Sequence, residues 1–137
     1  ANSSGALFFY VSSLDTSMQD VQINATVSFT LSLAAAPGHC AIHGAATNAS
    51  VPLPDPESPL CDRLTFTGQM RKLTSASEIA NASTTLFTRH PAMKSWPKSH
   101  DFYFTTIDLT DLWLIDFFGG ASLITPDAYY AASPTRS

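Results

Sequence analysis

Between Ala25 and Ala34 the chain alternates with a period of two: Val27, Phe29, Leu31 and Leu33 are apolar, with Thr26, Ser28, Thr30 and Ser32 between them. Successive side chains of a strand point to opposite faces, so this pattern predicts a half-buried strand. Arg63 to Arg71 repeats it, with Leu64, Phe66, Gly68 and Met70 on one face and Thr65, Thr67 and Gln69 on the other. Leu7 to Val11 is a further apolar strand candidate. Asp15 or Thr16 can cap a short helix over Met18 and Val21, because a short side-chain oxygen ahead of a helix satisfies an orphaned backbone N–H. After Ser75 the period becomes helical. Ile79, Ser83, Leu86 and Phe87 share a face, Ser75 and Glu78 have capping-box spacing, and Pro91 stops the run. On that wheel Asn81 lies roughly opposite Ile79.

From Asp101 to Thr125 the pattern predicts a tight meander. Strands over 102–107 and 112–117 are joined by a turn at Thr110-Asp111, a short strand follows Gly119-Gly120, and the last segment is buried on both faces. Thr125, Pro126 and Asp127 supply the cap, first-turn proline and acidic first turn of a final short helix carrying Tyr129 and Tyr130. The stretch from Pro37 to Pro59, with VPLPDPESP inside it, reads as a long loop. At 137 residues the chain fits one domain, 1–137, with 35–62 as that loop.

Composition narrows the class. A hydrophobic share of 45% against 13% charged residues predicts a packed core and excludes disorder. Seven Lys and Arg against eleven Asp and Glu leave a net charge of -4, which disfavours a nucleic-acid surface, since phosphate neutralisation needs a basic stripe. The greasiest segment, Leu112 to Phe118, is far shorter than a bilayer span and contains Asp116, so no membrane span is expected. Ala1 to Gly5 has neither the charge nor the apolar run of a targeting peptide; the expectation is that any such peptide has been removed or was never part of this chain.

The asparagines point to a compartment. All four, Asn2, Asn24, Asn48 and Asn81, open an N-x-S/T sequon, although Ser and Thr make up only 32 of 137 residues; chance would give this with a probability of about 0.003. A secreted or endolysosomal glycoprotein is the expected reading. Asn48 lies in a polar loop and Asn24 at a strand edge. Two cysteines, Cys40 and Cys61, fit that compartment as a disulfide. The rival reading is a metal site from His39, Cys40, His43 and Cys61, which lacks the second ligand pair that zinc sites usually bring.

Catalytic constellations are thin. The sequence holds no G-x-S-x-G elbow, phosphate-binding glycine loop or H-E-x-x-H pair. His90, His100 and Asp101 form the one His and Asp cluster outside the cysteine loop, and neighbours in a strand point to opposite faces, which places His100 and Asp101 poorly for a dyad. Trp96 and Trp113 read as core or interface anchors.

The run LFTRHPAMKSWPKSHDFYF, 86–104, followed by LWLIDFFGG, 112–120, and ITPDAYY, 124–130, closely resembles the CREG family of secreted glycoproteins. SPLC at 58–61 and ALFFYVSSLD at 6–15 extend the resemblance over nearly the whole chain, in order. The resemblance implies a mainly β fold with flanking helices, the Greek-key FMN-binding split barrel of pyridoxamine phosphate oxidase, usually a homodimer. It also implies a regulator of growth, differentiation or lysosomal function, with the flavin pocket obstructed and no cofactor expected. Family members carry further strands before the segment matching Ala6, so the expectation is that this barrel wall comes from a companion fragment of the same precursor, released by proteolytic processing, or is present without being recorded in this sequence. Other expected partners are the second copy of the homodimer and a cell-surface or lysosomal sorting receptor. His90, Trp96, His100, Phe102 and Phe104 are the candidate interface residues, since large aromatics flanked by Pro and His are typical anchors. The competing class is an FMN-dependent oxidoreductase, whose phosphate clamp would draw on Arg63, Arg71 and Lys72, the clustered basic candidates.

Overall fold

A computed structural model describes residues 4–40 and 54–132. In chain order the elements are β1 (Phe8–Ser12), α1 (Thr16–Ile23), β2 (Thr26–Ser32), β3 (Arg63–Lys72), α2 (Ala76–Arg89), β4 (Phe102–Ile115), β5 (Ser122–Ile124) and α3 (Pro126–Ala131), with short 3₁₀ turns between some of them. The strands hydrogen-bond in the order β1-β4-β3-β2, and β5 pairs with β4. Two compact units result: the first takes Ala1–Val27, Gly68–Leu109 and Ala132–Ser137, the second Ser28–Thr67 and Thr110–Ala131, so β2, β3 and β4 each contribute to both.

In the first unit β1 runs antiparallel to the start of β4, with Phe8 opposite Thr106, Tyr10 opposite Phe104 and Ser12 opposite Phe102. Asp15 caps α1 as its chemistry predicts: Oδ1 accepts from the backbone N–H of Ser17 at 2.8 Å and of Met18 at 3.4 Å, and Met18 is buried. Ala82 of α2 is fully buried, while Ile79, Ser83, Leu86 and Phe87 form the half-buried face around it. The expected capping box does not form. Ser75 occupies the cap position without a side-chain cap bond, its hydroxyl pairing with Ser77 Oγ at 2.8 Å, and Glu78 Oε1 instead accepts from Arg71 Nη2 at 2.8 Å. A charge-assisted bond to a guanidinium outcompetes a backbone N–H for the carboxylate. Gly68 of β3 is buried against Ile107 and Asp108 of β4. A Cβ there would lie 2.7 Å from Ile107 Cγ2 and run into the Asp108 carbonyl, so no other residue fits.

In the second unit Phe66, 1% exposed, is the core; it packs edge-on against Tyr129 at 5.4 Å and lies 6.3 Å from Phe29. Burial, then the neighbouring Tyr130, raises the Tyr129 phenol above its ordinary range. Leu112 and Cys61 are fully buried, and Cys61 is bonded to Cys40 with their Cα atoms 5.9 Å apart. Thr125 caps α3 by accepting from the Ala128 N–H at 3.2 Å. β2 ends one residue earlier than its alternation predicts: Ser32 Oγ accepts from Ala34 N–H and Leu33–Ala35 forms a 3₁₀ turn, leaving Leu31 51% exposed.

Two expectations for the C-terminal third are corrected. The turn at Thr110-Asp111 is absent, because β4 is one strand of 14 residues and Thr110 Oγ1 bonds the Thr67 carbonyl across to β3. Ladder pairing on both sides satisfies more backbone groups than a turn would, and overrides the local signal. The last segment is not buried on both faces: Ser122 and Leu123 of β5 are exposed, as is Trp113 opposite Leu123. The chain does turn back where Gly119 and Gly120, at φ 118 and 101, adopt the positive angles that glycine tolerates.

Candidate functional site

Tyr10 on β1 is the centre of an aromatic cluster in the first unit. The antiparallel register sets it opposite Phe104, with ring centroids 4.8 Å apart, and Phe102 two residues earlier stacks on it at 4.9 Å. Phe87 of α2 meets Tyr10 edge-on at 5.3 Å, and Trp96 stacks on it at 5.9 Å. Trp96 also lies 5.0 Å from Phe102, and the His100 ring 5.9 Å from it. Such ring pairs contribute about 0.5–1.5 kcal/mol each beyond area burial, so a network of this kind is stiff.

The rim comes from the segment between α2 and β4. His90 ends α2, 3₁₀ turns run over Pro91–Ser95 and Lys98–His100, and Asp101 closes the segment in the left-handed region at φ 49, which Asp tolerates better than most residues. Ser12 Oγ donates to the His100 carbonyl at 2.6 Å and ties the segment to β1. Phe102 and Phe104 are half-buried, whereas His90, Trp96 and His100 are exposed, so the five candidate interface residues divide into an inner pair and an outer three. An open recess of about 610 Å³ lies beside the cluster, walled by Tyr10, Val11, Met18, Trp96, His100 and Phe102 among others. Asp15, also on its wall, has its carboxylate committed to capping α1. Among the described residues no side-chain hydrogen bond joins His100 to Asp101. The site offers ring faces and edges for contact without a paired acid and base.

The basic residues considered for a flavin phosphate are each engaged. Arg71 Nε bonds both Asp108 carboxylate oxygens at 3.1 and 3.0 Å while Nη2 holds Glu78, which raises the guanidinium above its ordinary value and lowers the Glu78 carboxyl below its own. Arg63 Nη1 donates to the Pro56 carbonyl at 3.2 Å, and Lys72 Nζ sits 4.6 Å from the centre of the Tyr103 ring. Each of the three thus has a partner within this chain. The metal reading of the cysteine loop fails on chemistry: Cys40 and Cys61 are bonded to each other and cannot act as thiolate ligands, and His43 lies outside the described residues. Asn24 and Asn81 are both exposed, and Asn24 Oδ1 accepts from Thr26 N–H at 3.0 Å, which leaves Nδ2, the glycan-bearing atom, outside that bond. Asn2 and Asn48 lie outside the described residues.

The sequence reading overlooked Tyr10 and Phe87 as members of the cluster. The β1–β4 register would have supplied the signal, and pattern alone does not give it.

The family model described as CREG, beta-barrel matches residues 1–131. The chain belongs to the CREG β-barrel family. Protein CREG1 of Gallus gallus is 38% identical to it over 131 residues, covering 96% of this chain and 62% of that protein. Human protein CREG1 is 37% identical over 127 residues, covering 93% and 53%, and human protein CREG2 33% over 136 residues, covering 99% and 43%. The CREG-family chain thus spans about half the length of the relatives it matches. A heme binding protein from Mycobacterium smegmatis superposes with a TM-score of 0.67 at 17% identity, over 93% of this chain and 45% of its own. ChuZ of Campylobacter jejuni does so with a TM-score of 0.57 at 14% identity, over 95% and 49%. At such identities the likeness speaks for the fold alone, and with the family it places the chain among the split barrels, mainly β with flanking helices.

Proposed function

We propose that this CREG-family chain acts as a glycoprotein of the secretory pathway, secreted or endolysosomal, that recognises a partner and converts no substrate. The observation that carries the reading is the cluster around Tyr10: a stiff aromatic wall whose rim, His90, Trp96 and His100, faces solvent and lacks a paired acid and base beside it. Exposed rings on a rigid support are typical of contact hot spots. The Cys40–Cys61 bond and the exposed sequons at Asn24 and Asn81 support the compartment. A receptor, a second copy of the chain and a companion segment of the same precursor are the partners this reading admits. Among the described residues β2 is an outer strand of the sheet and its Leu31 is exposed, which suits the companion segment at that edge, because a strand edge readily accepts another strand.

The test is expression through a secretory host, followed by intact mass before and after N-glycosidase and by a visible spectrum. Loss of glycan mass at Asn24 or Asn81 from a colourless protein is the expected result. A stoichiometric yellow chromophore with reductant-dependent turnover would overturn it in favour of the FMN-dependent oxidoreductase.

A further inference from the structure

The charge of this chain is unevenly placed. From Ile79 to His100 there is no Asp or Glu, a gap bounded by Glu78 and Asp101. Its last twelve residues hold Arg89, Lys94 and Lys98, three of the seven basic residues, and His90 and His100, two of the four histidines. The remaining four Lys and Arg face all eleven Asp and Glu, so outside this stretch the chain carries a net charge of -7. Every residue from Arg89 to His100 is exposed except Met93, which is half-buried. Among the described residues the other cations are occupied: Arg71 by two carboxylates, Arg63 by a carbonyl, Lys72 by an aromatic face. Among the described residues no carboxylate pairs with Arg89, Lys94 or Lys98.

Two features make the stretch more than a solvated basic run. It is held in shape, since Met93 N–H bonds His90 O, Trp96 N–H bonds Met93 O, His100 N–H bonds Pro97 O, and Ser12 Oγ anchors the His100 carbonyl. It also carries Trp96 between Lys94 and Lys98, 40% exposed while stacked on Tyr10 and tilted against Phe102. An amphipathic indole flanked by long-stemmed ammonium groups, with no acid between Glu78 and Asp101, is the composition found at the headgroup level of membranes.

We propose that the exposed stretch Arg89–His100 docks this chain reversibly on an anionic phospholipid surface, with Arg89, Lys94 and Lys98 at the headgroup phosphates and Trp96 at the interface. This names the partner class for the rim described above and rests on the partner-binding reading of it. Charge complementarity selects an anionic surface and the exposed Trp96 between two lysines favours a lipid one; the net negative remainder is repelled by that surface, which orients this patch toward it. At about 1 kcal/mol per basic side chain near such a surface, three give roughly a hundredfold preference for anionic over neutral vesicles.

The experiment uses the full glycosylated chain in co-sedimentation with vesicles of phosphatidylcholine alone or mixed with phosphatidylserine. Sedimentation with the mixed vesicles only is expected, together with its loss near 1 M salt, where the Debye length is about 3 Å. Among the described residues Lys94 and Lys98 form no side-chain hydrogen bond or ion pair, so the double variant Lys94→Glu, Lys98→Glu should keep its circular dichroism while losing at least tenfold in vesicle binding. In a Trp113→Phe background the emission of Trp96 should shift to the blue on binding. Equal sedimentation of the double variant, or of the chain with neutral vesicles, would overturn the proposal. So would retention on a polyglutamate surface with no vesicle binding, which would assign the patch to an acidic protein and leave the partner-binding reading standing. A stoichiometric flavin with turnover would defeat that reading itself, whatever the vesicles show.

Discussion

The two units hold themselves together differently. The first spreads its aromatic packing over Tyr10, Phe87, Trp96, Phe102 and Phe104, none of them fully buried, with α2 laid against β1. The second concentrates on Phe66 and Leu112, both fully buried, and adds the Cys40–Cys61 crosslink, yet leaves Trp113, Phe117, Phe118 and Leu123 exposed. Shared packing tolerates the loss of one ring and leaves an aromatic surface available for contact. A core built on two side chains does not tolerate it, and there the covalent tie constrains the unfolded chain in place of further burial.

The sharpest way to break this contrast is to empty the second core. Phe66→Ala should destabilise by about 3–5 kcal/mol, the usual cost of a phenyl-sized cavity. Chemical denaturation would measure it, and a cost under about 1 kcal/mol would show that the second unit shares its load as the first does. Next comes the crosslink. Cys40→Ser with Cys61→Ser frees a tether across a sequence separation of 21, and should cost about 3 kcal/mol, read as a lowered denaturation midpoint that is matched by reducing the parent protein. Gly68→Ala probes the first unit where aromatic sharing cannot help. The added methyl meets Ile107 and the Asp108 backbone, and should cost roughly 1–3 kcal/mol in the same assay.

The smallest effects separate the units by pH. Glu78, in the first unit, has a folded value lowered by Arg71, so its contribution is present above the unfolded value near 4.5 and is lost as pH falls through the folded one. Tyr129, in the second, is raised by burial, so its contribution is present below the unfolded value of 10.0 and is lost as pH rises through the folded one. Glu78→Gln should flatten the acid limb of a stability-against-pH curve and Tyr129→Phe the alkaline limb. Both changes should be small, since Glu78 is at the surface and Tyr129 only half-buried. If either variant altered the opposite limb, the assignment of these groups would be wrong.

Local chemistry was legible wherever it depended on neighbours in sequence. The alternation of Leu64, Phe66, Gly68 and Met70 appears in β3, Asp15 caps α1, and Thr125 and Pro126 open α3. These features rest on one or two turns of backbone, and a side chain satisfies them from a few residues away. The same logic misread Thr110-Asp111 as a turn and Ser75 with Glu78 as a capping box, because in each case a distant partner, the Thr67 carbonyl or the Arg71 guanidinium, offered the better bond.

The class was therefore readable from residue order: strands with flanking helices, two cysteines suited to a crosslink, and a run of motifs specific enough to point to the family. Which residues act together rests on long-range packing. Tyr10 meets Phe102 and Phe104 because one antiparallel register brings β1 onto β4, and a slip of a single residue would turn Tyr10 to the other face, away from them and from Phe87 and Trp96, which other elements bring to it. That register is fixed by long-range pairing between segments some ninety residues apart, which no local pattern encodes.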